Sequence, residues 1–381
     1  MGPFECVFAH HRHEKGRQFE AMTGTPQKEV IVVKAERLRA FVARLLTALG
    51  LPEADAESVA EVLVEADLRG VESHGTTRVA GYVSMMRSGL LNPTPSVKVL
   101  KDAPSLAMLD GDGGFGIVVA RRAMAMAMDK ARAAGIACVT ARNMTHTAMV
   151  GFYPMMAARA GLIGLALNNG PAIVPPFGGT TPTYATNPIA VAVPAGGEEP
   201  IVLDMATTMA AGGKLRLAAK KGQPIPPSWA LDRHGQSTTD PEEALLHGFL
   251  QWAGGYKGFG IATVVEILGG VLAGGLFGTD VPPMKVFGKD PLVASGFYMA
   301  IDPARFMPLD EFRARVDRLI RQIRSSARAA GVEEVHVAGE IEHRRRAERL
   351  RDGIPLSEVV YRELAALAGD AGIAFALAGP A

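Results

Sequence analysis

The residue pattern predicts an α/β protein of two lobes, a helical one followed by one in which strands and helices alternate. Three observations carry that expectation. Residues 34–69 repeat their apolar side chains at the three- and four-residue spacing of amphipathic helices. At Asn92-Pro93-Thr94-Pro95 the pattern switches to short extended runs, which places a domain boundary there. Beyond it, apolar runs of strand length alternate with helical stretches, and 381 residues exceed one typical domain.

In order, two helices are expected over 35–49 and 53–68, separated by Gly50-Leu51-Pro52, where glycine ends one helix and proline opens the next. A third helix, capped by Thr76 or Thr77, follows Glu72-Ser73-His74-Gly75 and stops at Gly89. Strands are expected over 96–100 and 105–109. Gly111-Asp112-Gly113-Gly114-Phe115-Gly116 then precedes a helix over 117–134. This spells the G-x-G-x-x-G of dinucleotide folds, but the next strand, 136–140, ends in Ala141-Arg142-Asn143 rather than the acid that holds a ribose. The glycines therefore read as a tight turn with helix capping. Further on come a helix over 150–160, extended segments over 162–168, 188–193 and 200–203, and an apolar helix over 261–274. A strand over 296–301, a helix over 309–330, a short strand over 335–337 and a basic run from His343 to Arg351 complete the chain.

Composition narrows the function. The 40 basic and 39 acidic side chains leave a formal charge of +1, so nothing favours nucleic acid or an anionic membrane, and the basic run reads as a solvated helix face. Partners are expected to be small molecules. Residues 261–277 are apolar but carry Glu266 and four glycines, which suits a buried helix better than a membrane span. Two cysteines, Cys6 and Cys138, make no disulfide framework and no zinc spacing, so a cytoplasmic protein without a metal site is expected. Residues 1–30, with His10, His11 and His13, read as a flexible tail, and Met22 is a candidate start.

Candidate chemistry gathers at the bend. Ser73 and His74 are held between two helices, and Arg78 and Tyr82 are four residues apart on one face, so a guanidinium and a phenol point the same way. That equips the bend to hold a carboxylate beside an acid/base. The same residues also suit a helix corner whose Ser and His cap backbone groups. His146 lies just past a strand end, where side chains reach ligands, although a satisfied loop histidine sits there equally well. Asp204 ends a buried strand, placed either to orient an imidazole or to cap a helix. Thr186-Asn187 precede Pro188 in an extended loop, and Gly254-Gly255-Tyr256-Lys257-Gly258 lead into the apolar helix, where amides and Lys257 suit a phosphate.

Together these blocks resemble a known family, the malate/L-lactate dehydrogenases that are not Rossmann proteins, which also holds ureidoglycolate and sulfolactate dehydrogenases and piperideine-2-carboxylate reductases. The resemblance runs from about Lys34 to the carboxyl end. It rests on Ser73-His74-Gly75 with Arg78 and Tyr82, the Asp110–Gly116 segment, Phe177-Gly178-Gly179, Thr186-Asn187-Pro188, Leu203-Asp204-Met205-Ala206-Thr207, Trp229-Ala230-Leu231-Asp232 and Lys257-Gly258-Phe259-Gly260.

The resemblance implies a largely antiparallel, non-Rossmann nicotinamide-binding α/β lobe over 96–309. It packs on a helical, dimerising lobe built from both chain ends, 31–95 and about 310–381, in a homodimer. It implies NAD or NADP as cofactor, contacted by Ser73, His74, Thr186, Asn187, Asp204, Met205, Ala206, Thr207, Gly254, Gly255, Lys257, Gly258, Gly339 and Glu340. Arg78, with Tyr82, matches the carboxylate site. The acid/base is either His146 or the Ser73-His74-Asp204 set. One block departs from the family's Asn-Ser-x-His-Phe-Gly: here it is Asn143-Met144-Thr145-His146-Thr147-Ala148, a change expected to reshape the pocket wall. The implied reaction is hydride transfer at C2 of a small 2-hydroxy or 2-keto acid. An imino acid, or a cofactor-binding protein without turnover, is the alternative.

Overall fold

The computed structural model describes residues 30–284 and 286–377, so the expected tail and its histidines lie outside the described residues. The first described strand, β1 (Val30–Val33), pairs antiparallel with residues 354–357 at the far end of the chain. Helix α1 (Ala35–Ala48) buries Leu38, Phe41, Val42, Leu45 and Leu46, one stripe at helical spacing. It ends at Gly50, whose φ of +97° suits glycine. Helix α2 (Glu53–Leu68) follows Pro52, with Glu53 and Asp55 in its first turn. The bend consists of two 3₁₀ turns, Glu72–His74 and Thr76–Arg78, before α3 (Val79–Arg87). The third helix therefore starts later than the threonines.

The α/β part runs β2 (Lys98–Ala103), β3 (Leu106–Gly114), α4 (Gly116–Ala134), β4 (Ile136–Met144), α5 (Phe152–Arg159), β5 (Ile163–Asn168), β6 (Ile189–Val193) and β7 (Ile201–Met205). A small unit follows, with α6 (Gly212–Lys220), β8 (Ala230–Leu231), β9 (Ser237–Thr238), α7 (Pro241–Leu246) and β10 (Phe249–Leu250), packed around Val174, Leu215, Ile225 and Trp252. Then come α8 (Tyr256–Glu266), β11 (Ala294–Ile301), α9 (Leu309–Arg324), α10 (Glu340–Asp352), β12 (Ile354–Ser357) and α11 (Glu358–Asp370).

Seven strands form one sheet in the order β2-β3-β4-β11-β5-β6-β7. Only β3 and β4 run parallel; every other neighbouring pair is antiparallel. The lone parallel pair is the one joined through α4, at the glycine segment. There the expectation of a tight turn is corrected: Gly111 to Gly114 extend β3, with a register shift between Asp110 and Gly114. The glycines serve close packing, since a Cβ on Gly116 would meet the Thr145 carbonyl oxygen at 2.1 Å.

Other expectations shift as well. Residues 335–337 form no strand, and α9 stops at Arg324, whose guanidinium pairs with Glu198 and Glu340. The apolar helix begins five residues early, at Tyr256, and ends in a π turn, Ile267–Val271, where Gly269 and Gly270 lie against Asn169. Helix α9, grouped by sequence with the helical lobe, packs Val316 and Ile320 against Val193 and Ile201 of the sheet edge. One hydrophobic core, from Val33 to Leu377, joins the helices of both chain ends to the sheet.

The basic run is solvated on one side only, with Arg344, Arg345 and Arg351 exposed, while its other side is engaged. From α10, Arg346 reaches the buried carboxylate of Glu65 at 2.9 Å, which Arg69 also meets at 3.0 Å and Arg159 at 3.4 Å. Arg349 bonds Glu72 at 2.6 Å and the Asp67 carbonyl, and so ties the carboxyl-terminal helix to the bend.

Candidate active site

The bend is held from within by Asp67. Its carboxylate accepts from the Thr76 amide at 3.0 Å and the Thr76 hydroxyl at 2.6 Å. An acid in the last turn of a helix opposes the helix dipole unless it serves another group. Here it caps the start of the next helix, taking the role expected of Thr76 or Thr77. Burial raises the Asp67 carboxyl to about 7, against the hydrogen bonds from Thr76.

Ser73, His74, Arg78, Tyr82 and His146 come together. The Ser73 hydroxyl lies 2.9 Å from His74 Nδ1. The imidazoles of His74 and His146 stack with centroids 5.5 Å apart, and the Tyr82 phenol meets His146 Nδ1 at 2.8 Å. Arg78 donates through Nε to the Ser73 carbonyl at 2.6 Å. His146 is fixed by its flanks: Thr145 Oγ1 accepts from the Gly116 amide at 3.1 Å, and the Thr147 carbonyl accepts from the Tyr153 hydroxyl at 2.6 Å. The changed block keeps an unusual backbone, because Ala148 sits at φ +56° where the family pattern has glycine.

The electrostatics favour neutral imidazoles. Burial, then the Arg78 charge, lowers His74 to about 4. Burial, then His74 and Arg78, holds His146 well below the ordinary histidine value. Burial also raises the Tyr82 phenol, which stays protonated at neutral pH. A neutral imidazole beside a cation accepts a proton more readily once an anion offsets that cation.

Asp204 stands apart from this group. Its carboxylate accepts from the Gly151 amide at 2.9 Å, at the start of α5. No described hydrogen bond joins it to either imidazole, so the capping alternative describes its contacts. It keeps accessible surface, and desolvation by the protein around it raises it to about 6.

The expected cofactor residues form a second knot. Thr207 donates to the Thr186 carbonyl at 2.9 Å and the Asn187 carbonyl at 3.2 Å, and its own carbonyl accepts from Ala253 at 2.9 Å. Asn187 donates to Glu266 at 2.7 Å and Ala262 at 2.9 Å. Gly258 packs where a Cβ would lie 2.3 Å from the Ala253 carbonyl oxygen. Gly254 and Gly255, both at φ +65°, bring exposed Lys257 to the start of α8, and Met205 and Ala206 close β7 nearby.

Gly339 and Glu340 lie at the other end of β7, Gly339 against Val202. Glu340 is engaged structurally, by the Val337 amide at 3.0 Å, Arg344 at 2.6 Å and Arg324. Glu334, His336 and Glu340 bring ligand atoms within 4.8 Å of one another, a grouping the sequence reading had not found. Arg344 and Arg324 already neutralise its carboxylates. A recess of about 450 Å³ between α2, α5, β7 and α10 is lined by Glu65, Arg69, Arg159 and His343, away from the imidazole pair.

Sequence reasoning missed Phe287, whose ring lies 5.4 Å from both Tyr82 and His146 and 4.6 Å beneath the Arg78 guanidinium carbon. Its segment has no periodicity, so no pattern pointed to it. Arg216, exposed on α6, also went unremarked, though its charge is felt at Arg78. The acid at position 67 was legible as a misplaced charge.

Comparison with known proteins gives the family. The family model described as malate/L-lactate dehydrogenase matches residues 33–365. The malate dehydrogenase of Pyrococcus horikoshii is 40% identical over 357 residues, 92% of this chain and 98% of that protein. The solved sulfolactate dehydrogenase of Methanocaldococcus jannaschii superposes with a TM-score of 0.85 at 36% identity, covering 90% of this chain and 98% of that one. Two further relatives, each 34% identical, are named with their cofactor. The ureidoglycolate dehydrogenase of Escherichia coli, named with NAD(+), shares 87% of this chain and 94% of its own. The (2R)-3-sulfolactate dehydrogenase of Chromohalobacter salexigens, named with NADP(+), shares 85% and 94%. This chain belongs to the malate/L-lactate dehydrogenase family and is an oxidoreductase acting on the CH–OH group of hydroxy acids.

Proposed function

We propose that the protein transfers a hydride between NAD or NADP and C2 of a small 2-hydroxy or 2-keto acid. One observation carries this: Tyr82, His146, His74 and Arg78 share one cluster, and among the described residues Arg78 hydrogen-bonds only through its Nε, which leaves the terminal amino groups for a substrate carboxylate. His146 is the acid/base. In the oxidative direction it takes the proton of the 2-hydroxyl, and the substrate carboxylate, by offsetting Arg78, eases that protonation. The Tyr82 hydroxyl donates to Nδ1 of the neutral ring and accepts from it once the ring is charged, so it serves both states.

Two features fit the cofactor. Among the described residues no donor meets buried Asn187 Oδ1, an acceptor suited to a carboxamide amine. The Gly254-Gly255 turn and Lys257 face the start of an eleven-residue helix, a place for phosphate oxygens. A bound nicotinamide supplies or takes the hydride.

Arg216 supports a substrate with a second anionic group, as the names malate and sulfolactate describe for the relatives. Two neighbouring guanidinium groups repel until an anion lies between them. A 2-hydroxy acid is favoured over an imino acid because the relatives named above are dehydrogenases. A homodimer is supported by Ile261, Val264, Ile267 and Val271, a stripe along α8 and its π turn left 43–53% exposed. Light scattering that finds a monomer refutes the dimer.

The test is nicotinamide absorbance on mixing protein, NADH or NADPH and a panel of 2-keto acids. Turnover is expected, highest with dicarboxylates, and Arg78→Ala removes it at every substrate concentration. Full activity in that variant refutes the carboxylate assignment.

A further inference from the structure

Phe287 stands among turns and bends over residues 286–293, outside any helix or strand, yet it is seated with care. Its ring lies so close to α3 that a Cβ on Gly81 would come within 2.4 Å of it. The next residue, Gly288, has φ +87° and approaches the Gly81 backbone so nearly that a Cβ there would lie 2.7 Å from Gly81 Cα. Two glycines thus let this segment lie directly on the helix that carries Tyr82.

The ring touches three groups of the site at once. It meets Tyr82 and His146 edge-on, with interplanar angles of 73° and 74°, and the Arg78 guanidinium carbon stands over its face at 4.6 Å. A guanidinium stacked on an aromatic face keeps its in-plane donors free, because the ring occupies only the direction perpendicular to them. With Nε held by the Ser73 carbonyl, the stack removes the remaining rotation of the fork. Nη1 and Nη2 are then aimed before any carboxylate arrives.

We propose that Phe287 is the positioning residue for Arg78 and the wall that limits the substrate's C3 substituent. This rests on the hydride-transfer reading above for its kinetic test and not for its binding test. Arg78 and its charge remain in a Phe287 variant, so what is lost is only the order of the fork, which ground and transition states use alike, and this loss appears in KM rather than kcat. Removing the ring also opens space beside His146.

The experiment uses the full chain with Phe287→Ala, Phe287→Tyr and Gly81→Ala. Phe287→Ala is expected to raise KM for a small 2-keto acid roughly three- to tenfold with kcat nearly unchanged. It should also raise kcat/KM for a bulky aromatic 2-keto acid relative to the small one by about tenfold. Phe287→Tyr restores the wild-type KM. Gly81→Ala, which displaces the ring from below, shifts KM in the same direction as Phe287→Ala. Thermal midpoints identify any variant that has simply unfolded. An unchanged KM and unchanged size preference in folded Phe287→Ala overturn the proposal, as does a wild-type KM in Gly81→Ala. If the wild-type protein oxidises neither nicotinamide with any keto acid, the hydride-transfer reading fails. Phe287 is then judged by calorimetric binding of oxamate, expected to weaken at least threefold in Phe287→Ala. Equal affinities, or no binding to wild type, overturn the proposal.

Discussion

The Tyr82 phenol, fully buried on α3, lies 2.8 Å from Nδ1 of His146, a residue 64 positions away at the end of β4. That contact joins the helix of the bend to the sheet and engages one of the two imidazole nitrogens.

Tyr82→Phe removes the hydroxyl and leaves Nδ1 without its partner when the ring is charged. A hydrogen bond to a charged group contributes about 1.5–3 kcal/mol, so kcat should fall roughly 10- to 100-fold while KM changes little. Steady-state kinetics checks this, and an unchanged kcat removes His146 as the proton-transferring group.

Stability should decline in acid through the histidines. Burial and Arg78 lower His74 from 6.5 to about 4, so between these values the unfolded chain binds more protons than the folded one. The contribution is present above pH 6.5 and is lost as pH falls to 4, about 3 kcal/mol as an order of magnitude. Asp67 and Asp204 act with the opposite sign, since carboxyls raised to about 7 and about 6 favour the fold when protonated and weaken it as pH rises from about 4 through those values. The histidine part is therefore read as a difference. Denaturant midpoints of wild type and His74→Gln should converge as pH drops from 7 to 4, and parallel curves refute the assignment.

Ala148 occupies φ +56°, a conformation that costs a side chain about 1 kcal/mol and glycine almost nothing. Ala148→Gly should raise stability by a few tenths to 1 kcal/mol, the gain reduced by glycine's freedom in the unfolded chain. Denaturant unfolding decides it, and a loss beyond 1 kcal/mol shows that the backbone is not strained there.

A Cβ on Gly75 would lie 1.8 Å from Asp67 Oδ1, inside the bond network that caps α3. Gly75→Ala should cost at least about 2 kcal/mol and abolish activity, because Ser73, His74 and Arg78 all depend on that corner. An active, stable variant removes Asp67 from its role as the brace of the bend.

By itself the sequence determined most of the elements, the bend with Ser73, His74, Arg78 and Tyr82, and the marks of the family. These are local properties: helical spacing, glycine and proline punctuation, and short motifs read within a few residues. It did not show that Gly111–Gly114 extend a strand, that Arg346 and Arg349 brace α2 and the bend, or that the Asp204 carboxylate takes the Gly151 amide at the start of α5. Such facts depend on which distant segments share a surface. His146 meets Tyr82 only because β4 ends beside α3, and Phe287 reaches Arg78 only because two glycines far apart in the chain lie in contact. Burial then decided the protonation of both imidazoles, and burial belongs to the folded molecule, not to any stretch of its sequence.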